Sequence, residues 1–417
     1  MSKALQLDQV DSDRAIALFV KVQIFSIVFL QKLAIHIGTG EMQLVLPIYY
    51  VGLLILAGNA KLHLDILRFI SFAAFVVAAV AGHVALVSTF SLPSLLLVLF
   101  IFLPACFYCR VPWSVYSECL RFFNTCVMVL CLITIQQVVL QYTVGNQYWI
   151  NLDLIIPETL QFTGYNYLQP THWNSPNLKP NGIFALEVSM IAQACALAIV
   201  IELLYLHRPL FLAIYSITTL ITLAGSGMLI FLFCIPVILI RLSPKMLAIC
   251  VMILVAGVLT AVAIDWTGQV GARLSEFWTP GTSGYFRFTI PLMLFAEQIV
   301  DPDFLFSGNG AGTTIKGTPY LLLPFSKILS EYGLLTLITF YIFLSILLFV
   351  RSPAPAISYT LFVYYNLAGS TLGMPMCGLQ LLVLAAFFRI DRPSFQQDAA
   401  SETKPSALRL AQDGGRL

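Results

Sequence analysis

Charge is scarce in this chain. Lys and Arg number 22 and Asp and Glu 20 among 417 residues, or 10%, against about 25% in soluble domains. Hydrophobic residues make up 59%, and the mean hydropathy is +0.89. No long basic tract is present to hold nucleic acid, and the net charge of +2 names no partner. No GxxxxGK[ST] phosphate loop occurs, and no soluble domain is legible. Histidine is limited to five residues, none after His207, so a carboxylate–histidine metal cluster is not visible. The nine cysteines lie mostly within apolar runs, and the nearest approach to a metal pattern, Cys106 and Cys109 in CFYC, reads as two small hydrophobes. The N-terminal MSKALQLDQVDSDR lacks the cleavage pattern of a signal peptide.

What is there is apolar sequence in runs of membrane length, about 20 residues each. A transmembrane β-barrel would instead show alternating segments of about 10 residues. The pattern predicts an all-α polytopic integral membrane protein with about twelve transmembrane helices, over 15–35, 42–58, 65–87, 92–109, 116–141, 182–206, 209–224, 227–241, 246–264, 320–350, 354–371 and 374–389. These form one transmembrane domain, 1–390, followed by a polar cytoplasmic tail, 391–417, expected to be disordered. One set of connections carries Arg14, Lys61, Arg68, Arg110, Arg208, Arg241, Lys245, Arg351, Arg389 and Arg392. The alternate set holds only Lys179, Arg273, Arg287 and Lys316. The positive-inside rule therefore puts both termini in the cytoplasm and both long loops, 142–181 and 265–318, outside.

The second long loop draws the chemistry to itself. Arg273 and Arg287 are its two arginines and the only ones expected on the outer side. Arginine at a membrane edge can cap a helix or snorkel to headgroups. Its planar fork also suits phosphate, so two beside a bilayer can clamp a lipid-linked pyrophosphate. Glu187, expected about one and a half turns inside the sixth span, is either half of a structural ion pair or a carboxylate that binds or deprotonates a sugar hydroxyl. Lys179 and Asn181 precede it in KPNGIFALE. Lys327 and Glu331 share a helix face at i, i+4 and can simply neutralise one another. Lys32 and the Ser226–Gly227 turn approach the same surface, and His172 reads as exposed loop. GNGAG at 308–312 has neither the strand nor the helix of a nucleotide loop, and Asp301 and Asp303 read as the start of a turn. The residues therefore point to arginine electrostatics without a metal or other cofactor. Aromatics of the first long loop, Tyr148, Trp149, Phe162, Tyr165, Tyr167 and Trp173, either stack on sugar faces or form an interfacial belt.

Four segments carry a resemblance. KPNGIFALEVSMIAQACALAIVIEL resembles the basic-x-Asn-Gly junction of Wzy-type exopolysaccharide polymerases, those of the xanthan type in particular, and TLITLAGSGMLIF resembles their small-residue turn. GARLSEFWTPGTSGYFRFTIP with FLFSGNGAGT resembles the outer loop of the O-antigen polymerase and ligase superfamily, and LLPFSKILSEYGLL the span after it. The resemblance covers about 179–335; the first five spans match in hydropathy alone. It implies an inner-membrane glycosyltransferase of GT-C architecture, working on undecaprenyl-pyrophosphate-linked oligosaccharides on the periplasmic face. A flippase and chain-length or export proteins are the partners it implies. It implies catalytic roles for Arg273, Arg287 and Glu187, with Lys179 and Glu331 as further functional positions; Asn181, Ser226, Lys32 and Lys327 join them as candidate substrate-binding residues by their expected place near the outer surface. Val188-Ser189 stands where the family has Pro-Ser, and Pro319-Tyr320-Leu321 where the ligase branch has a histidine, which favours polymerase over ligase. A flippase would place charged pairs near the midplane and show matching halves, which this chain does not. A structural subunit of an export complex is the remaining alternative.

Overall fold

The computed structural model describes residues 2–37, 40–59, 61–87, 89–145, 150–165, 168–171, 176–222, 224–245, 247–248, 251–252, 255, 275–282, 284–313, 322–367 and 372–390. The chain is mostly helical. Three helices, Ile66–Leu86, Trp113–Thr143 and Val188–Leu206, are long and apolar enough to cross a membrane by length and composition, and shorter apolar helices surround them. The ninth predicted span falls mostly outside the described residues, and the tail 391–417 wholly so. Large apolar side chains stand on the outer faces of these helices, among them Leu54, Val77, Val84, Leu132 and Ile240. Water would penalise such faces; a bilayer covers them.

In chain order the helices are α1 (Ser2–Phe29), α2 (Val45–Gly58), α3 (Ile66–Leu86), α4 (Leu92–Phe102), α5 (Trp113–Thr143), α6 (Val188–Ile201), α7 (Pro209–Thr222), α8 (Gly225–Arg241), α9 (Ile290–Gln298), α10 (Pro324–Tyr332), α11 (Leu334–Phe349), α12 (Pro355–Leu367) and α13 (Pro375–Leu381). The expected span 320–350 is thus two helices. Gly333, at φ +84°, breaks it between α10 and α11, and a Cβ there would lie 2.8 Å from the Ser307 nitrogen. Helix α6 is the most enclosed of the three long ones and packs against α5, α7, α8 and α12. Gly227 lets α8 approach it closely, since a Cβ there would sit 2.5 Å from the Ala192 carbonyl oxygen.

The fold also contains strands that a purely helical reading leaves out. β1 (Ala34–Ile37) and β2 (Gly40–Gln43) form a hairpin after α1. At the other end β3 (His63–Leu64), β4 (Phe107–Val111) and β5 (Phe388–Ile390) form a small sheet in which β4 and β5 run parallel. Arg68, Arg110 and Arg389 come together at this second end. Asp65 caps α3 by accepting the Leu67 and Arg68 amides, its other oxygen lies 3.3 Å from Arg68 Nε, and it pairs with Arg389. Arg68 is fully enclosed, donating to the Ala386 carbonyl at 2.6 Å. Asp65→Ala is expected to cost about 3–5 kcal/mol, because it strands a buried guanidinium and removes a cap. The thermal midpoint of the detergent-extracted chain reads this, and an unchanged midpoint would refute the hub.

Candidate functional site

The two ends of α6 make an informative contrast. Each holds a buried glutamate opposite an arginine. Glu202, near the C-terminal end, is saturated: Arg208 Nε donates to both oxygens at 3.1 and 3.2 Å, and the Arg208 amide and the Asn124 side-chain amide (2.8 Å) donate as well. That is a structural lock. Glu187, at the other end, receives far less. Arg287 Nη2 reaches Oε2 at 3.3 Å and Ser189 Oγ donates to the same oxygen at 3.1 Å, while Oε1 accepts no hydrogen bond from the described residues.

Glu187 is not inside the helix as its place in the apolar run suggested. It is the N-cap residue of α6, in extended conformation, and the helix begins at Val188. The cause is the preceding turn. Phe184 N–H bonds the Gly182 carbonyl at 2.7 Å, a γ-turn centred on Ile183 with φ +67°, a value rare for a β-branched residue. Asn181 and Gln137 hold this turn together. Gln137 Oε1 accepts the amides of Asn181 (3.1 Å) and Gly182 (2.7 Å), and Gln137 Nε2 donates to Asn181 Oδ1 at 3.1 Å. A small recess lined by Ile133, Gln137, Gln141 and Ile183 lies beside the turn and does not include Glu187. Glu187 thus stands at the N-terminal end of α6, its side chain making no cap hydrogen bond to the helix amides.

Arg287 reaches Glu187 from the second long loop, 100 residues away in sequence, on a π-turn from Tyr285 to Thr289. Its side chain is 14% exposed and that of Glu187 10%. Buried Arg287 Nε finds no hydrogen-bond partner among the described residues. The guanidinium is thus enclosed, anchored through one nitrogen, and able to engage a further acceptor. Arg273 lies outside the described residues.

The other predicted residues separate into distinct places. Lys179 is half-buried on the same connection, its backbone N–H bonded to the Gln169 carbonyl at 2.7 Å. Ser226 accepts from Gln193 Nε2 at 3.2 Å further along α6, where it helps seat α8. Lys327 and Glu331 lie 3.8 Å apart on α10. That node also holds the glycine turn and connects toward Arg287 through α9, whose last residue Gln298 accepts from Ser330 Oγ at 2.5 Å. Arg287 and Gln298 stand eleven positions apart along helical chain, about 16 Å. His172 lies outside the described residues.

Lys32 follows the end of α1 and bonds Asp153 at 2.8 Å. Burial lowers its ammonium from 10.5 to about 8, with the Asp153 hydrogen bond opposing. The unfolded chain therefore binds more protons between about pH 8 and 10.5, and stability rises with pH through that window; below about 8 the full cost of the buried charge is present. Lys32→Met is expected to flatten this rise, as read from thermal midpoints at pH 7 and 9.5. An identical slope in the variant would disprove the assignment.

Two groups of functional relevance were not singled out by sequence. Gln31 and Gln43 are buried amides that place the site's neighbours: Gln31 Oε1 accepts from the Leu186 amide at 3.3 Å and Gln43 Oε1 from the Met376 amide at 3.1 Å. Their signal was an uncharged amide within or beside an apolar run. His83 is the other. It lies in α3 and accepts the Ala311 amide of the glycine turn at 2.8 Å, so the second loop does meet a histidine, though one engaged in structure. Among the described residues no group of three or more His, Cys, Asp or Glu is arranged to hold a metal ion. Comparison with known proteins finds no family model that matches this chain and no curated protein significantly similar to it.

Proposed function

We propose that this chain joins undecaprenyl-pyrophosphate-linked repeat units into polysaccharide on the periplasmic face of a bacterial inner membrane, within a helical bundle of GT-C type. The observation that carries this reading is the Glu187–Arg287 pair: among the described residues, an enclosed guanidinium anchored through one nitrogen against a sparsely coordinated carboxylate at a helix N-terminus. It lies at the end of the molecule opposite the basic sheet, the side the charge pattern assigns to the exterior.

In this scheme Arg287 engages the pyrophosphate of the growing chain's carrier, with Arg273 as the second cation of the same loop. Glu187 takes the proton of the acceptor hydroxyl as its oxygen bonds to the anomeric carbon. The bond from that carbon to the phosphate oxygen breaks, and the carrier leaves as its pyrophosphate. Negative charge grows on the leaving group in the transition state, where a fixed guanidinium in a poorly screened site lowers the barrier most.

The deciding experiment is the lipid-linked saccharide profile of a host deleted for this chain. Accumulation of single lipid-linked units supports polymerisation. Full-length polymer held on lipid would show a ligase instead, and absence of lipid-linked material from the outer leaflet a flippase.

A further inference from the structure

The segment Gln161–Tyr165 is tied down with unusual thoroughness for loop. Gln161 bridges Leu33, and the Phe162 amide donates to the Lys32 carbonyl at 2.8 Å. Both Glu41 oxygens are spent on Thr163, one on its amide at 2.8 Å and the other on its hydroxyl. The Gln161 side chain closes back on the carbonyls of Asp153 and Ile156, each at 2.6 Å. Gly164 then adopts φ +85°, with open space where a Cβ would project. Beyond that reversal the Tyr165 ring stacks on Phe162, centroids 5.5 Å apart and planes 26° apart. The Tyr165 phenol lies within electrostatic reach of Glu187, Arg287 and Glu41, and of Cys377 on α13. Burial pushes its titration well up, Cys377 and Glu187 adding and Arg287 opposing, so the hydroxyl stays protonated as a donor.

We infer that Phe162 and Tyr165 form the platform for the acceptor sugar, the ring stack meeting the sugar's C–H face and the Tyr165 hydroxyl bonding one of its hydroxyls beside Glu187. This rests on the proposed polymerase reading and names its acceptor subsite. A pyranose ring offers an apolar face and a polar rim, which a half-buried aromatic pair carrying one hydroxyl complements. The backbone and side-chain ties of the strap run to Glu41 in β2 and to Lys32 and Leu33 just before β1, so the hairpin end of the molecule anchors it.

The test uses the full chain in lipid nanodiscs with lipid-linked single units extracted from the deletion host. Tyr165→Ala is expected to raise KM for these units about tenfold with kcat changed far less. Tyr165→Phe, which keeps the stack, should raise it a few-fold, and Glu41→Gln, which loosens the strap, should also raise it. Unaltered KM in Tyr165→Phe and Glu41→Gln, with Arg287→Ala inactive, would overturn the platform while leaving the polymerase reading intact. Full activity of Arg287→Ala would remove that reading first. If Tyr165→Ala fails to accumulate in membranes, the isosteric Tyr165→Phe decides.

Discussion

If the chain polymerises as proposed, Arg287→Ala is expected to leave about a hundredth or less of wild-type polymer and to make single lipid-linked repeats accumulate. The magnitude follows from the position. Removing one preorganised donor from a developing oxyanion typically costs about 100- to 1000-fold in rate, and this donor is charged and largely enclosed. Arg287→Lys keeps the charge and loses the fork, so partial activity is expected. Glu187→Gln keeps size and loses proton-accepting power; kcat should fall about 100-fold or more with little rise in KM. If the two side chains serve one step, the double variant is scarcely worse than the poorer single one. A purely structural ion pair behaves differently: Glu187→Arg combined with Arg287→Glu would restore the contact and, with it, function. Normal polymer from that charge-reversed chain, at normal membrane abundance, would end the catalytic assignment.

The helical, membrane-compatible character was legible because it is a matter of composition and run length, which tertiary context cannot reverse. Local breaks were not legible. The expected span 320–350 runs straight through Ser330-Glu331-Tyr332-Gly333, yet the positive φ of Gly333 divides it into two helices. Apolar character likewise continues through Ile183 to Leu186, and only the γ-turn shows that Glu187 stands before α6 rather than within it. The candidate acid and one arginine were legible as residue types out of place in an apolar chain. Their meeting across 100 residues was not, since no local rule brings the second loop to the head of α6. Strand β4 straddles the end of the expected span 92–109, where a short apolar run of Phe, Tyr and Cys serves a helix end and a buried strand alike. His83 is not legible for a related reason: it lies far from the outer loop in sequence, and only the packing of α3 against α10 and α11 brings it to the glycine turn.

Gly308→Ala is expected to destabilise the chain by about 2–4 kcal/mol, or to prevent its accumulation, although it adds one methyl group to a loop. The added Cβ would stand 2.4 Å from the Ser330 carbonyl oxygen and 2.5 Å from the Glu331 carbonyl carbon. Those are backbone atoms at the end of α10 and cannot swing aside as a side chain would. They are also the carbonyls that the glycine turn serves. Asn309 N–H bonds the Ser330 carbonyl at 2.8 Å and Gly310 N–H the Glu331 carbonyl at 3.1 Å, satisfying acceptors that a helix C-terminus leaves open. Next to them the Ala311 amide donates to His83 and its carbonyl accepts from Ser91 at 2.8 Å. Separating the turn from α10 therefore exposes several buried polar groups at once, each costing about 1–3 kcal/mol. Gly58→Ala is the control: nothing lies within 4 Å of the place its methyl would take and its φ is ordinary, so the thermal midpoint should hold or rise slightly. Wild-type stability in Gly308→Ala would show that the turn does not clamp α10. The same clamp bears on the site, because Gln298, bonded to Ser330, ends the helix that continues directly from the π-turn carrying Arg287. Any Gly308→Ala chain that does fold should then lose polymer out of proportion to its abundance, the far end of the Arg287 lever having been released.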